Sequence, residues 1–582
     1  MKNRIKQYLL AASMCVGLTA CSDFFEPIPG VQFGLDETFA SKQRTEEYLN
    51  NVYSYVREVT DAIHPNTYGG IFTEASLDGA NRWNKTYAEW TNGSFNSASA
   101  QASEYFSKYY QAIAKASTFI QNVDKCTEAA ASTRGKWKSE ARALRAYYYF
   151  ELLRLYGPIP LIGEDPIPLD ASLEELIKER NSVDECVNFI ATELQSAIDS
   201  GDLLQRAGKA NLGRMDVATC MALKAKLYLY WASPLFNGNT DQASVKNKDG
   251  KQLFPQTEDN SKWTQARDAY ERFMTFATGQ GYKLTEVYTN GKLDPYASCR
   301  AAGEFFTTTW EAVDELIFVK LRDLYDYTYW VCPKFTDFQD TDVTGGGGYY
   351  TTQETVDLFF TKDGLTIEED PSYDKFEGIP GANNFTSGRY YDPNNPSRLY
   401  FDADKSKVLK QWKDREPRFY VNITYSGSIW LNEGKYNEEM RTDFTNGANG
   451  TCGKSKASGD CPDSGYLIRR GAKASNNNGS KHFSPVLRLA DMYLGYAEAL
   501  CMCSDLDNAL TYLNKIRVRA GIPEYTFTAT AGKITCPKTQ TDLLNRIRRE
   551  RLVELVFEWN RYFDVRRWKV AEGQNDPEHW IY

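Results

Sequence analysis

The chain has 582 residues, and its hydrophobic content of 42% is enough to bury a large core. Its formal net charge of −9 at pH 7 argues against a nucleic-acid partner, because phosphate binding requires a basic face. The chain also carries 38 Tyr, 30 Phe and 12 Trp. Many of these rings must belong to the core, and the others can form flat platforms for sugar rings or peptide side chains.

The first 21 residues have the layout of a bacterial export signal. A basic start (2–6) precedes a short apolar run (8–18), which is too short to span a bilayer comfortably. Small residues follow, and the sequence Leu18-Thr19-Ala20-Cys21 resembles the bacterial lipobox, in which the cysteine sulfur is acylated after cleavage. We therefore predict a signal peptide over 1–20 and a lipid on Cys21. The alternative is an ordinary signal peptide followed by an incidental cysteine.

The first half of the mature chain carries helical patterns. Apolar residues recur every three or four positions from Trp137 to Leu155, as on one face of an amphipathic helix, and Gly157 ends the pattern. Ser182 and Asp216 are suitable N-cap residues for two further helices. Helices in pairs with short breaks between them indicate helical-hairpin repeats. Similar patterns occupy roughly 38–58, 100–124, 182–200, 214–232 and 262–278.

From about 285 to 480 the pattern changes. Four glycines at 345–348, several prolines and many Asn, Asp and Gly residues interrupt the chain, and short β-like runs such as 315–319 appear. We predict a long irregular region with a few strands, laid over the helical scaffold. Within it, Cys452 and Cys461 flank a Gly/Ser-rich loop. They are candidates for a disulfide in an exported chain, and their pairing stays open.

Helical patterns return near the C-terminus, at roughly 485–501, 505–520 and 540–559. In the last of these, Glu550, Glu554 and Glu558 lie four residues apart on one stripe. Three like charges in a row require compensation, and several Arg and Trp residues follow them in the chain. We therefore predict a partly buried ion-pair network at this end of the molecule.

Several stretches of the chain carry a joint resemblance to a known family. They are SEARALRAYYYF at 139–150 with RLYGPIPL at 154–161, RLADMYLGYAEAL at 488–500, LNKIRVRAGIP at 513–523, and RERLVEL at 549–555 with RYFDVRRW at 561–568. DGL at 363–365 and REPRF at 415–419 lie between them. In this order the stretches are similar to the motifs of the SusD/RagB family, and the matches cover nearly the whole mature chain.

The resemblance implies a mainly α fold of tetratricopeptide-like helical hairpins with an irregular, loop-rich C-terminal portion that carries a few short strands. It implies one SusD-like domain over 21–582, with N-terminal helical repeats at about 36–284, the irregular part at about 285–480, and C-terminal helices with the last repeat at about 485–570. It also implies that the motifs are scaffold. The residues expected to hold helices together are Arg145, Glu498, Glu554 and Arg561.

The resemblance also implies a role at the cell surface. Members of the family are outer-membrane lipoproteins of Bacteroidetes that face outward. They bind oligosaccharides, or in some branches peptides, and cap a SusC-like TonB-dependent transporter like a lid. They are not enzymes, so we expect no catalytic residues, no cofactor and no metal.

A ligand site must be argued from residue types, because the scaffold motifs do not define it. Sugars place their C–H faces against aromatic rings, while amide, carboxylate and guanidinium groups take their hydroxyls. Two segments have this composition, and related SusD-like proteins build their binding faces from loops at roughly these places. The candidates are Asp78, Asn81, Arg82, Trp83 and Trp90 in the first segment, and Arg322, Tyr325, Tyr327, Tyr329 and Trp330 in the second.

The first of these segments lies between predicted helices, so we expect its side chains to stand on an exposed loop. The alternative for each tryptophan is packing in the core, which is the commoner fate of this residue.

Two other classes of function stay open. A glycoside hydrolase needs two carboxylates that flank the sugar bond, and no local motif singles out such a pair among the 77 acidic residues. The chain has His only at 64, 482 and 579, without a His-Glu-x-x-His motif or a nucleophile elbow. A pure interaction module is the other alternative, because helical repeats often bind proteins.

Overall fold

The computed structural model describes residues 34–57, 70–76, 78–83, 96, 99–165, 167, 171–303, 313–322, 325–335, 345–376, 378–431, 440–445, 452, 460–472 and 482–570. Cys21, Trp90 and the predicted signal peptide lie outside these residues. The described part is mainly α-helical, and its strands are short and form no closed sheet. The predicted fold class is therefore confirmed.

The helices differ widely in length, and the long ones belong to the two ends of the chain. In order they are α1 (Leu35–Ala40), α2 (Lys42–Tyr53), α3 (Ile71–Glu74), α4 (Ala100–Asn122), α5 (Ala131–Tyr156), α6 (Leu173–Leu176), α7 (Val183–Asp199), α8 (Val217–Ala232), α9 (Ser261–Gly279), α10 (Pro295–Gly303), α11 (Tyr325–Val331), α12 (Gln353–Leu358), α13 (Pro417–Asn422), α14 (Leu489–Met502), α15 (Leu506–Ala520), α16 (Gln540–Glu554) and α17 (Asn560–Arg567).

The long helices form one continuous stack. Helix α4 packs on α5, α5 on α7, α7 on α8 and α8 on α9, so each helix contacts the next long helix in the chain. The stack then passes from α9 directly to α14, and α14 packs on α15 and α16. The long segment between α9 and α14 therefore leaves the stack after α9 and rejoins it at α14, and these two helices contact each other.

Local chemistry explains where the helices of the stack begin and end. Ser182 caps α7 in a capping box with Glu185, and the Asp216 carboxylate accepts a hydrogen bond from the N–H of Thr219 at 2.7 Å, so both predicted N-caps are confirmed. Helix α5 ends at Gly157, whose φ is +69°. A Cβ there would lie 2.9 Å from the ring of Phe254, so this turn requires glycine.

The strands lie mostly in the segment that leaves the stack. They are β1 (Ala80–Asn81), β2 (Tyr288–Thr289), β3 (Lys292–Leu293), β4 (Leu316–Arg322), β5 (Tyr349–Tyr350), β6 (Arg389–Asp392), β7 (Asn395–Asp402), β8 (Ile423–Tyr425), β9 (Tyr466–Ile468), β10 (His482–Arg488), β11 (Tyr525–Thr526) and β12 (Ile534–Thr535). Strands β1, β5, β9 and β8 form a four-stranded sheet in that order, and the others pair in twos.

Two boundaries of the C-terminal helices differ from the prediction. Residues 485–488 belong to strand β10, which pairs with β4, so the chain becomes helical only at Leu489. Helix α16 ends at Glu554, because Phe557 and Trp559 adopt φ values of +62° and +64°, which no α-helix accommodates. At the first boundary, pairing with β4 overrides the apolar periodicity.

The carboxylates of Glu550, Glu554 and Glu558, called here the carboxylate stripe, are buried. Arg488 contacts two of them, with N–O distances of 2.7 Å to Glu554 and 2.8 Å to Glu558. It also lies 2.8 Å from Glu315, which directly precedes strand β4. A single guanidinium thus joins the β4–β10 pair to helix α16. The predicted buried ion-pair network is confirmed.

Four more arginines complete the neutralisation of the stripe. Arg418 lies 2.7 Å from Glu550 and 3.2 Å from Glu554. Arg517 pairs with Glu550 at 3.0 Å, Arg519 with Glu554, and Arg470 with Glu558. Each stripe carboxylate therefore has at least two cationic partners, and the partners come from distant parts of the chain.

A second buried network ties the stack to the C-terminal helix. Asp491 accepts ion pairs from Lys226 at 2.7 Å and Arg551 at 2.6 Å. Arg567 lies 2.6 Å from Glu498 and 2.8 Å from Asp564. These pairs connect helices α8, α14, α16 and α17.

The motif residues expected to be scaffold all take part in buried ion pairs. Arg145 pairs with Glu193 at 2.5 Å, and Arg561 with Asp78 at 2.8 Å. Together with the contacts of Glu498 and Glu554, these pairs confirm that the motif side chains hold elements of the fold together.

We predict that Glu554→Gln lowers the free energy of unfolding by about 3–5 kcal/mol at pH 7, because it leaves buried arginines without their counter-charge. Burial alone raises the pKa of Glu554, but Arg519, Arg488 and Arg418 outweigh this and hold the pKa well below its usual value. The stabilisation is thus present above the unfolded pKa of about 4.3 and is lost as the pH falls. Urea unfolding of both proteins at several pH values measures the difference.

Glu524→Gln is the matched control, because Glu524 pairs with Lys533 at 2.7 Å on the surface. It should cost less than about 1 kcal/mol at any pH. Equal losses for the two variants, or a loss for Glu554→Gln that does not shrink below about pH 4, would contradict the prediction.

Candidate functional site

Two of the predicted aromatic residues meet on a run of glycine backbone. The rings of Trp83 and Tyr329 both lie against Gly346, where a Cβ would be 2.5 Å from the Trp83 ring and 2.8 Å from the Tyr329 ring. Gly348 also lies against the Trp83 ring too closely for a Cβ. Only glycine at these positions lets the two rings approach the backbone this closely.

Strand pairing brings the glycine run and Trp83 together. In the four-stranded sheet, β1 pairs antiparallel with β5, and Asn81 lies opposite Tyr349. The N–H of Arg82 donates to the carbonyl of Gly348 at 3.0 Å. Trp83 therefore leaves the sheet beside the glycine run. On the other side, Gly346 donates its N–H to the carbonyl of Tyr329 at 2.8 Å, at the end of helix α11.

Charged groups fix the indole of Trp83. Its Nε1–H donates to an oxygen of Asp460 at 2.8 Å, and Lys334 pairs with the other oxygen of Asp460 at 2.5 Å. Arg82 pairs with Asp463. The rotamer of Trp83 is thus held by a buried backbone on one side and by a carboxylate on the other.

These residues form a surface that solvent can reach, which we call the Trp83 face: Arg82, Trp83, Tyr329, Lys334, Asp460 and Asp463. Both rings are half-buried. The charged side chains are between 20% and 52% exposed. Two cations and two anions are paired with each other, so the face has ring surfaces and hydrogen-bonding groups with no net charge. This arrangement suits a ligand with apolar C–H patches and many hydroxyls.

The structure corrects the expected exposure of the first candidate segment. Asp78 is 1% exposed and is the partner of Arg561, and Asn81 is buried in β1, where its side chain accepts the N–H of Trp83 at 2.8 Å. Both residues are part of the scaffold, because this segment enters the sheet and does not form a loop. Arg82 and Trp83 are the residues of this segment that reach the Trp83 face.

The second candidate segment forms helix α11, so its aromatic residues point in different directions. Tyr327 is buried, and its hydroxyl donates to the carbonyl of Arg470 at 2.8 Å. Trp330 is 4% exposed and belongs to the core, so the alternative of core packing holds for it. Tyr329 is half-buried, and its ring lies against Gly346. Arg322 ends β4 and Tyr325 begins α11.

The side chains of Arg322 and Tyr325, and the whole of Trp90, lie outside the described residues, and their contact with a ligand stays a prediction.

The sequence did not identify Lys334, Asp460 and Asp463 as residues of the face. It also did not predict that the glycine run contacts the two rings. The four consecutive glycines are a signal for close approach of other groups to the backbone. Nothing in the local sequence distinguishes Asp460 or Asp463, because they reach the face through pairing of distant strands. Tyr349 and Tyr350, which follow the glycine run, form β5 inside the sheet.

Other features of the described residues bear on the alternatives. Among them, no three His, Cys, Asp or Glu side chains are placed to hold a metal ion. No described helix is long and apolar enough to cross a membrane. Cys452 and Cys461 are both buried, and their pairing stays a prediction.

Two family models match the chain. The model described as the SusD family matches 315–579, and the model described as starch-binding associating with outer membrane matches 32–229. A SusD-like protein of Bacteroides ovatus is 27% identical over 175 residues, which are 29% of this chain and 30% of the relative. That match therefore spans less than a third of the relative's length.

Solved structures share the fold over most of the chain. BT4246 has a TM-score of 0.72 at 25% identity, with 91% of this chain and 89% of its own covered. A SusD-like protein (BF3747) from Bacteroides fragilis has a TM-score of 0.66 at 22% identity, with 93% and 90% covered. A structure named laminarin binding SusD-like protein has a TM-score of 0.50 at 18% identity, with 93% and 95% covered. These structures show the fold, and the two family models, one on each half of the chain, show that the chain belongs to the SusD family.

Proposed function

We propose that the protein is a cell-surface lipoprotein that captures an oligosaccharide on the Trp83 face and delivers it to a SusC-like TonB-dependent transporter. The observation that carries the proposal is the pair of half-buried rings, Trp83 and Tyr329, set among four charged side chains. A sugar ring can cover an aromatic ring with its C–H face while its hydroxyls exchange hydrogen bonds with the charged groups at the edge.

The paired charges favour a neutral, polyhydroxylated ligand. Asp460 and Asp463 each have a cationic partner, so a hydroxyl can share these groups without leaving a lone charge desolvated. Each exposed hydrogen bond and each stacked ring contributes little net free energy, so affinity for one sugar unit is modest. Reversible capture of this kind suits a protein that must release its ligand to a transporter.

Similarity supports a glycan ligand. One matching family model is described as starch-binding, and one structure of the same fold is named as laminarin-binding. Starch and laminarin are therefore the first polysaccharides to test, within a panel of plant and host glycans. Peptides, which other branches of the family bind, belong in the same panel. In this proposal the protein binds without cleaving, and release of shorter sugars from any glycan in the assay would contradict it.

The proposed mechanism has three steps. A lipid on Cys21 confines the protein to the plane of the outer membrane, where its transporter is always near. The Trp83 face then captures the glycan outside the cell. A lid motion finally passes the glycan to the pore of the transporter.

We predict that Trp83→Ala weakens binding of whichever polysaccharide of the panel the wild type binds by about tenfold or more, since it removes the larger of the two ring platforms. Affinity electrophoresis of the full chain in detergent, followed by calorimetry, measures the change. Tyr288→Ala is the matched control, because Tyr288 is 60% exposed on β2, which pairs with β3 and is not part of the four-stranded sheet that leads to Trp83. Equal affinities for wild type, control and Trp83→Ala would contradict the assignment of the face.

We predict that Cys21→Ser abolishes incorporation of labelled palmitate and moves the protein from the membrane to the soluble fraction, because serine lacks the sulfur that is acylated. Cys15→Ser, inside the predicted signal peptide, should leave both properties unchanged. Membrane retention and labelling of the Cys21→Ser protein would contradict the lipid anchor.

We predict that a TonB-dependent transporter copurifies with the lipidated protein after cross-linking in intact outer membranes. The Cys21→Ser protein should recover far less, because loss of the membrane tether lowers the effective concentration of the two partners. Absence of such a transporter from the lipidated sample, identified by mass spectrometry, would count against delivery.

A further inference from the structure

A cavity lies next to the Trp83 face. It has a volume of about 600 Å³, which is within the usual range for small-molecule sites. Its walls include the side chains of Gln353, Asp357, Gln411, Trp412, Phe444 and Tyr466. None of these residues belongs to the Trp83 face, and sequence reasoning singled out none of them.

A chain of hydrogen bonds runs along one wall of this cavity. The indole Nε1–H of Trp412 donates to the hydroxyl of Tyr466 at 3.0 Å, and that hydroxyl donates to the side-chain oxygen of Gln353 at 2.8 Å. The amide nitrogen of Gln353 in turn donates to one oxygen of Asp357 at 2.8 Å. Each group in the chain is held in a fixed orientation by its neighbour.

Two polar groups at the cavity have unused hydrogen-bonding capacity. Within the described part of the chain, the second oxygen of Asp357 and the side-chain amide of Gln411 have no hydrogen-bond partner. Gln411 is only 7% exposed. Burial also raises the pKa of Asp357 above its usual value. Asp357 is half-buried, and neither group is shut off from solvent, so a ligand that supplies hydroxyls here can form hydrogen bonds with both groups in place of water.

Apolar surface accompanies these polar groups. Phe376, Leu409 and Phe444 line the cavity, and all three are half-buried. The charged lining residues are Asp357 and Lys375, which have opposite signs. An amide, a carboxylate and ring surfaces without excess charge are the groups that an uncharged sugar ring requires.

The cavity and the Trp83 face are joined by consecutive residues. Asp463 is the partner of Arg82 on the Trp83 face, and the next residue, Ser464, lines the cavity. Adjacent Cα atoms are about 3.8 Å apart. A glycan that lies on Trp83 therefore needs no long extension to enter the cavity.

We infer that this cavity is a second subsite for the same glycan, in which Asp357 and Gln411 hold the hydroxyls of an uncharged sugar ring while Trp83 and Tyr329 hold another part of the chain. The inference rests on the proposed function and sharpens its substrate class. The ligand is a neutral oligosaccharide long enough to occupy both places, and neither a disaccharide nor an acidic glycan fills them.

The test measures how affinity depends on ligand length. The probes are the disaccharide and the longer oligosaccharides of starch and of laminarin, titrated calorimetrically into the full chain in detergent. For the polysaccharide that is bound, the affinity of the wild type should rise with chain length. Asp357→Asn and Gln411→Ala should each weaken binding of the longest oligosaccharide by about tenfold and flatten this rise.

Glu354→Gln is the matched control, because it removes a carboxylate from the same helix, α12, at an exposed position that does not line the cavity. It should bind like the wild type. The two cavity variants act on different groups, so a folding defect in one leaves the other as a test, and their unfolding midpoints are measured alongside.

The outcomes separate the two claims. If both cavity variants bind every chain length as tightly as the wild type does, and Trp83→Ala binds more weakly, the second subsite is overturned and the Trp83 face is retained. Wild-type affinity of the cavity variants and of Trp83→Ala overturns both. Failure of the wild type to bind any starch or laminarin oligosaccharide also overturns the inference for a neutral glucan.

Discussion

Neutralisation of buried charge is the constraint on which this fold depends. Arg488 lies 1% exposed between Glu315, Glu554 and Glu558, so the start of strand β4, the end of β10 and helix α16 must all be in place before any of these charges is stable. Such a network contributes less net free energy than an apolar core of equal volume, but the removal of one member is costly. The ion pairs therefore determine which elements lie together, while the apolar residues of the helical stack supply most of the driving force.

The site depends on this scaffold through short strands. Arg561 holds Asp78 in place, and two residues further on the chain enters β1, which leads directly to Trp83. The glycine run precedes β5 in the same way. Two-residue strands are weak on their own, so their position must come from the buried pairs and the sheet around them. The placement of the two rings is thus a product of contacts made away from the Trp83 face. In the proposed function, this fixed placement lowers the entropic cost of binding.

The sequence allowed much of the helical framework to be predicted, because helices obey local rules. The N-caps at Ser182 and Asp216, the terminating Gly157 and the spacing of the carboxylate stripe could all be identified within a few residues. The site was harder to predict. Trp83 and Trp330 were both candidates for ligand contact, yet one reaches the surface and the other is buried, because strand pairing and the turn of helix α11 determine their direction. Asp460 and Gln411 carry no local signal, since long-range pairing alone brings them to the surface and to the cavity.

The passage of the stack from α9 directly to α14 has an evolutionary consequence. The intervening segment begins and ends at helices that already touch, so changes in its length and sequence need not disturb the repeats on either side. Tyr329, the glycine run, Asp460 and the cavity all lie within that segment. A lineage can therefore alter most of the surface around Trp83 by changing a single insertion, while the helical repeats, and Trp83 itself, which lies outside the insertion, keep their places.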